Sequence, residues 1–149
     1  MMFGNSWPYL LAVVVGIFLT VQTGMNMTLG RVLESPLGAT TLNFAIGLAT
    51  LVVCLLVAPV RPNWSAAPQV PAWVWLGGVL GAAYVMSVTV LGQRLGALAM
   101  FALVLAGQLA AALLVDRYGW LGFPRAEVTP LRVAGLGLVV VGALLTLRR

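Results

Sequence analysis

Long stretches of this sequence carry no charged side chain at all. Residues 1–30, 35–60, 62–93, 95–115 and 133–147 are free of Asp, Glu, Lys and Arg. A helix needs about 20 mostly apolar residues to cross the hydrocarbon core of a bilayer. The charges therefore predict five spans, at about 8–29, 37–58, 72–92, 97–115 and 131–147. With 62% apolar and 7% charged residues the chain falls far below the roughly 25% charge that covers a soluble domain. The expected fold is an all-α integral membrane protein, a compact bundle of five transmembrane helices forming a single domain over 1–149.

Local chemistry supports the boundaries. Pro36, after Glu34 and Ser35, can open the second helix, because proline is tolerated in a first turn. Pro59, Pro62, Pro68 and Pro71 end that helix and fill the longest loop, while Trp64, Trp73 and Trp75 suit the headgroup level. Arg94, Leu95 and Gly96 form a tight turn. The fifth span is short, its uncharged part about 22 Å of helix, so Arg132 and Arg148 must snorkel. The leader before the first span has no basic residue, and the apolar stretch is long for a secretory signal, so it reads as a membrane helix.

Several functions are excluded by what the chain lacks. It has no His, hence no imidazole base, proton relay or metal ligand. Its single cysteine, Cys54, lies in the apolar run 51–58 and reads as a small lipid- or core-facing residue. No metal site, cofactor or paired intramembrane carboxylate is expected, so the chain does not read as an enzyme. Asp116 and Arg117 at the end of the fourth span, and Glu127 in the loop that follows, read as solvated interfacial anchors. The net charge of +5 comes from arginines that punctuate apolar segments, as loop anchors do, and not from a nucleic-acid-binding patch.

The distribution of those arginines is balanced. With five spans, one membrane face holds Arg61, Arg117, Arg125 and Arg132, and the other holds Arg31, Arg94, Arg148 and Arg149. Orientation follows the excess of basic residues in short loops, and here there is none. Insertion in both orientations with antiparallel pairing is expected; a single orientation set by a partner is the plainer alternative.

Polar residues inside the spans are uncharged. Gln22 and Asn26 share a face of the first span; Thr40 and Asn43 share one on the second; Tyr84 and Ser87 share one on the third; Gln108 lies near the middle of the fourth. Gln22, Tyr84 and Gln108 fall near mid-bilayer, and Asn26, Asn43 and Ser87 toward one face. Amides are costly in lipid unless paired, so these six are candidates for lining a polar substrate path, helix–helix hydrogen bonding being the alternative. Gly77, Gly81, Gly107 and Gly135 are candidate packing positions; the Gly77 to Gly81 pattern fits contact within one chain or a dimer seam. Leu29-Gly30-Arg31 with Gly38-Ala39 is echoed by Leu91-Gly92, Arg94-Leu95 and Gly96-Ala97, either a duplicated hairpin or chance.

The stretch Gln22-Thr23-Gly24-Met25-Asn26 through Leu29-Gly30-Arg31, then Ser35-Pro36-Leu37, Phe44 and Gly47, resembles the opening of the short five-span branch of the drug/metabolite transporter superfamily, to which bacterial YdcZ-type inner-membrane proteins belong. Gly77-Gly78, Gly81, Tyr84, Arg94-Leu95-Gly96-Ala97, Phe101, Gly107-Gln108-Leu109, Asp116, Gly119 and Gly122 continue the resemblance. The closing segment 135–147 is similar to the last helix of small multidrug resistance proteins. The resemblance implies a multi-pass protein of the bacterial inner membrane whose two copies, or two paralogues, pair with opposite orientations around a substrate path. The first-helix glutamate of small multidrug resistance proteins is missing, with Gln22 and Asn26 in that region, which argues against proton-driven cation export by that route. A transporter of a polar, neutral or amphipathic small molecule is expected; a non-transporting membrane subunit and a lipid-handling protein are the alternatives. Reporters fused to the carboxyl terminus are expected to give signal from both sides of the membrane, and signal from one side alone rules out dual insertion.

Overall fold

The computed structural model describes residues 6–59 and 61–147. Arg148 and Arg149, half of one face's arginine tally, lie outside the described residues, as does the leader over 1–5. Among the described residues there are five α-helices and no strand: α1 (Trp7–Val32), α2 (Pro36–Val57), α3 (Leu76–Leu95), α4 (Ala97–Tyr118) and α5 (Pro130–Thr146). Tight 3-10 turns cover Trp64–Gln69, Ala72–Trp75 and Trp120–Gly122. Four helical segments are long and apolar enough to cross a membrane: α1, α2, Ala72–Leu95 and α4. α5 is shorter, with 17 residues, or about 26 Å. The chain divides into two compact units, one ending at Gln93 and one beginning at Arg94.

In the first unit, α1 and α2 pack as a hairpin whose connection is three residues long. Glu34 takes a left-handed backbone (φ 51°), so that the Ser35 N–H reaches the Gly30 carbonyl at 3.0 Å and the Glu34 N–H reaches that of Arg31 at 3.3 Å. This is the paired closure of a helix end that glycine usually supplies. Ser35 at once caps the next helix: its Oγ accepts from the Gly38 N–H at 3.0 Å, and Pro36 occupies the first helical position. The turn thus satisfies both helix ends with its own atoms.

The buried face of this unit is small and polar. Thr23, Asn26 and Gly30 are buried on α1, Ala39 and Thr40 on α2, and Val88, Thr89 and Gly92 on α3. Each buried threonine donates to the carbonyl four residues back: Thr23 to Leu19 at 2.8 Å, Thr40 to Pro36 at 2.9 Å, Thr89 to Val85 at 2.7 Å. The hydroxyls need no outside partner. Close approach in lipid depends on such small residues, because tails compete equally for apolar surface. Gly30 is the tightest position between helices: a Cβ there would stand 3.6 Å from Pro36 Cα and 3.7 Å from Ala39 Cβ.

The second unit is the α4–α5 pair. Gly119 ends α4 in a left-handed backbone (φ 66°), its N–H donating to the Val115 carbonyl at 2.8 Å. The connecting loop folds back over that end. Ala126 N–H donates to the Asp116 carbonyl at 2.8 Å, and Arg125 Nε to that of Arg117 at 3.1 Å. Across the pair, Arg132 Nη2 donates to Asp116 Oδ2 at 2.7 Å, and its Nη1 to the Glu127 carbonyl at 3.1 Å.

The helices run past the expected span limits. α1 continues through Arg31 to Val32, α3 through Arg94 to Leu95, and α4 through Asp116 and Arg117 to Tyr118. Charges end an apolar span without ending its helix, which stops where a left-handed residue or a cap closes it. The third helix begins its regular α geometry at Leu76, after a 3-10 turn over the tryptophans. Gly30→Ala should be tolerated. Gly30→Leu should cost about 1–3 kcal/mol by overpacking the α1–α2 seam, read as a lowered unfolding midpoint of the purified protein in detergent.

Candidate functional site: unpaired amides on the first unit

Two kinds of polar side chain occupy the helices. The threonines at 20, 23, 28, 40, 41, 50 and 89 all return their hydroxyls to their own helix at the i−4 carbonyl. The side chains of Gln22, Asn26, Asn43, Tyr84, Ser87 and Gln108 have no hydrogen-bond partner among the described residues. An amide cannot serve itself in this way: it carries two N–H donors and a carbonyl, which a helix leaves without nearby partners. In hydrocarbon each unpaired amide costs roughly 4–8 kcal/mol. The amides therefore require something from outside the helix that bears them.

The α1–α2 hairpin and α3 gather part of this set. Gln22 and Asn43 line one groove of about 460 Å³. Its remaining walls are apolar and include Phe44, Ile46, Leu51 and Val85. By helical rise, Asn43 stands about 12 Å and Gln22 about 16 Å from the α1–α2 turn, so the two amides lie within one helical turn of the same depth. Asn26, one turn from Gln22 on α1, is 3% exposed, and its Nδ2 is the one buried side-chain nitrogen or oxygen without a partner among the described residues. A second groove of about 500 Å³ runs between α2 and α3, lined by Leu37, Thr40, Thr41 and Phe44 on one side and Val79 and Met86 on the other. Its threonine hydroxyls are already bonded to backbone, so its wall is effectively apolar.

The other expected residues do not line that groove, in which Gln22 is itself exposed and Asn43 half-buried. Tyr84 is half-buried and Ser87 exposed on α3. Gln108 belongs to the second unit, where it is exposed on α4. A Cβ on Gly77, Gly107 or Gly135 would meet nothing within 4 Å, and one on Gly81 only the Phe44 ring at 4.0 Å. Close approach falls instead at Gly30, at Gly38, where a Cβ would stand 3.3 Å from Ser35 Oγ, and at Gly119, where one would stand 3.3 Å from Arg125 Cβ. Asp116, expected as a solvated anchor, is tied to Arg132 across the α4–α5 pair. Among the described residues no group of three His, Cys, Asp or Glu could hold a metal ion.

Phe44 was not expected in the site, yet it is a wall of both grooves of the first unit. Its sequence signal was position: it follows Asn43 directly, so a groove that takes the amide meets the ring at its edge.

Apolar helices of spanning length joined by self-satisfied turns, with an amide-bearing groove between two of them, fit a helical membrane protein. The family model described as "Putative inner membrane exporter, YdcZ" matches residues 7–145. The chain belongs to that family, among the drug/metabolite transporters. No curated protein and no solved structure matches it.

The orphan nitrogen of Asn26 has a measurable consequence. Replacing a satisfied buried amide is destabilising, whereas replacing an unsatisfied one by an apolar group of similar size is neutral or stabilising. Asn26→Leu is expected to leave the unfolding midpoint in detergent unchanged or raised; a fall of several degrees would show that the amide has a structural partner.

Proposed function

We propose that the chain is a small-molecule transporter of the bacterial inner membrane. It moves a polar, neutral or amphipathic metabolite by alternating access between two copies, or two paralogues, paired in opposite orientations. The observation that carries this reading is the groove shared by Gln22 and Asn43, two amides with no partner in their own chain among the described residues. Its mixed lining suits a solute with a hydrogen-bonding head and an apolar body, the usual character of a small-molecule site. The absence of any Asp or Glu beside these amides favours a solute without a net positive charge. Family membership supports transport as the activity and export as its direction.

Pairing is supported by two features. The arginine tally is equal on the two faces. Gly77, Gly107 and Gly135 leave open space where a second chain could approach closely. α5 serves in this reading as a fifth span, with Arg132 reaching to the interface. A second chain would also close the exposed sides of the grooves, so that the amides meet water, solute or each other and not lipid tails.

Flux into or out of proteoliposomes, screened over a panel of neutral and zwitterionic metabolites, is the test. Gln22→Leu and Asn43→Leu should each lower the flux of the transported solute at least about tenfold, the loss of one hydrogen bond to a charged or strongly polar partner, with dimer assembly retained. Full flux in both variants removes the site assignment, and absence of flux for every solute favours a non-transporting subunit.

A further inference from the structure

The loop between α4 and α5 carries charges that the transport reading does not use. Arg117, Tyr118, Arg125, Ala126, Glu127 and Val128 line a pocket of about 630 Å³. Arg132 and Asp116 form the one ion pair among the described residues, so the guanidinium groups of Arg117 and Arg125 and the carboxylate of Glu127 have no salt partner. Arg125 spends only Nε, on the Arg117 carbonyl, and its four terminal N–H groups stay free. Arg117 lies 5.9 Å from the centre of the Tyr118 ring. Opposite charges that could neutralise one another instead stand around a common space.

That space sits where a membrane surface must be. It caps the end of α4, a helix long and apolar enough to span. Beside it Tyr118 stacks on Trp120 with ring centres 4.7 Å apart. Trp120, Leu121 and Phe123 are 55%, 65% and 59% exposed in succession along the loop. Leu121 holds a left-handed backbone (φ 57°), which non-glycine residues avoid, within a segment that presents its apolar side chains outward. Aromatic and apolar side chains at a span end insert at the headgroup level.

We propose that this pocket holds the headgroup of a membrane phospholipid that combines a phosphodiester with a primary ammonium, as phosphatidylethanolamine does. Arg117 and Arg125 donate to the phosphate oxygens, and Glu127 accepts from the ammonium. The chains lie along Trp120, Leu121 and Phe123. The charge pattern sets the selectivity. A headgroup with a net negative charge satisfies the arginines but faces Glu127, and a choline headgroup has no N–H to give that carboxylate.

Native mass spectrometry of the delipidated full chain in detergent tests this, with separate titrations of phosphatidylethanolamine, phosphatidylcholine and phosphatidylglycerol of matched chains. Phosphatidylethanolamine should be retained most tightly. Arg117→Gln with Arg125→Gln should weaken its retention by more than about tenfold. Glu127→Gln should abolish the preference over phosphatidylcholine. Equal retention of the three lipids, a preference for phosphatidylglycerol, or unchanged retention in both variants overturns the proposal. Displacement of the bound lipid by soluble phosphoethanolamine at similar concentration also overturns it, since the ligand would then be a free phosphate ester. If the double arginine variant does not fold, Glu127→Gln, whose carboxylate has no partner to lose, decides between the outcomes by itself.

Discussion

Hydrocarbon offers no hydrogen bonds, and nearly every choice in this chain follows from that. A backbone amide or a side-chain polar group in the bilayer must find its partner inside the protein or bring water with it. The helices solve the problem for the backbone. The threonines solve it for themselves, each by returning its hydroxyl to the preceding turn of its own helix. Gln22, Asn26, Asn43 and Gln108 have no such local solution, and that is what separates these amides from the threonines of the spans. Composition alone puts a threonine and an asparagine in one polar class; the geometry of the helix divides them into one that is indifferent to its surroundings and one that is not.

The same requirement shapes the turns. The α1–α2 connection closes one helix with Glu34 and opens the next with Ser35 and Pro36, and its hydrogen bonds are all made within about a turn of chain. The α4–α5 loop is longer, and uses main-chain and arginine donors to cover the last carbonyls of α4. In both, polar groups that would otherwise need bulk water at a membrane surface are served by the chain. The two units thereby have well-formed ends, although their helices keep most of their apolar side chains turned outward.

Much of the helical pattern was legible in the sequence because charge is so expensive in lipid. The charge-free stretches fall on the five α-helices of the described residues, and Pro36, read as a helix-opening residue, stands in the first turn of α2. The ends were less legible. Arg31, Arg94, Asp116 and Arg117 mark where the apolar core stops, but a helix crosses that limit freely until a capping residue intervenes. Glu34 in a left-handed conformation, where glycine would be expected, has no sequence signature of its own. Of the six expected site residues, Gln22 and Asn43 line a common groove in the structure, and Asn26 is buried one turn away. Phe44 escaped, since what matters about it is a shared space, and one-dimensional spacing does not describe a space. The glycines show the same gap: Gly30 and Gly38 approach neighbours within the chain and the GxxxG pair on α3 does not, because a motif specifies a smooth helix face and not what lies against it.

Phe44 stands as a common wall of the amide-bearing groove and the apolar groove next to it. The two volumes therefore share one aromatic ring as a boundary, so its size sets the width of both. A smaller side chain at position 44 would enlarge the amide-bearing groove and its apolar neighbour together, whereas a change at any wall they do not share would alter one alone.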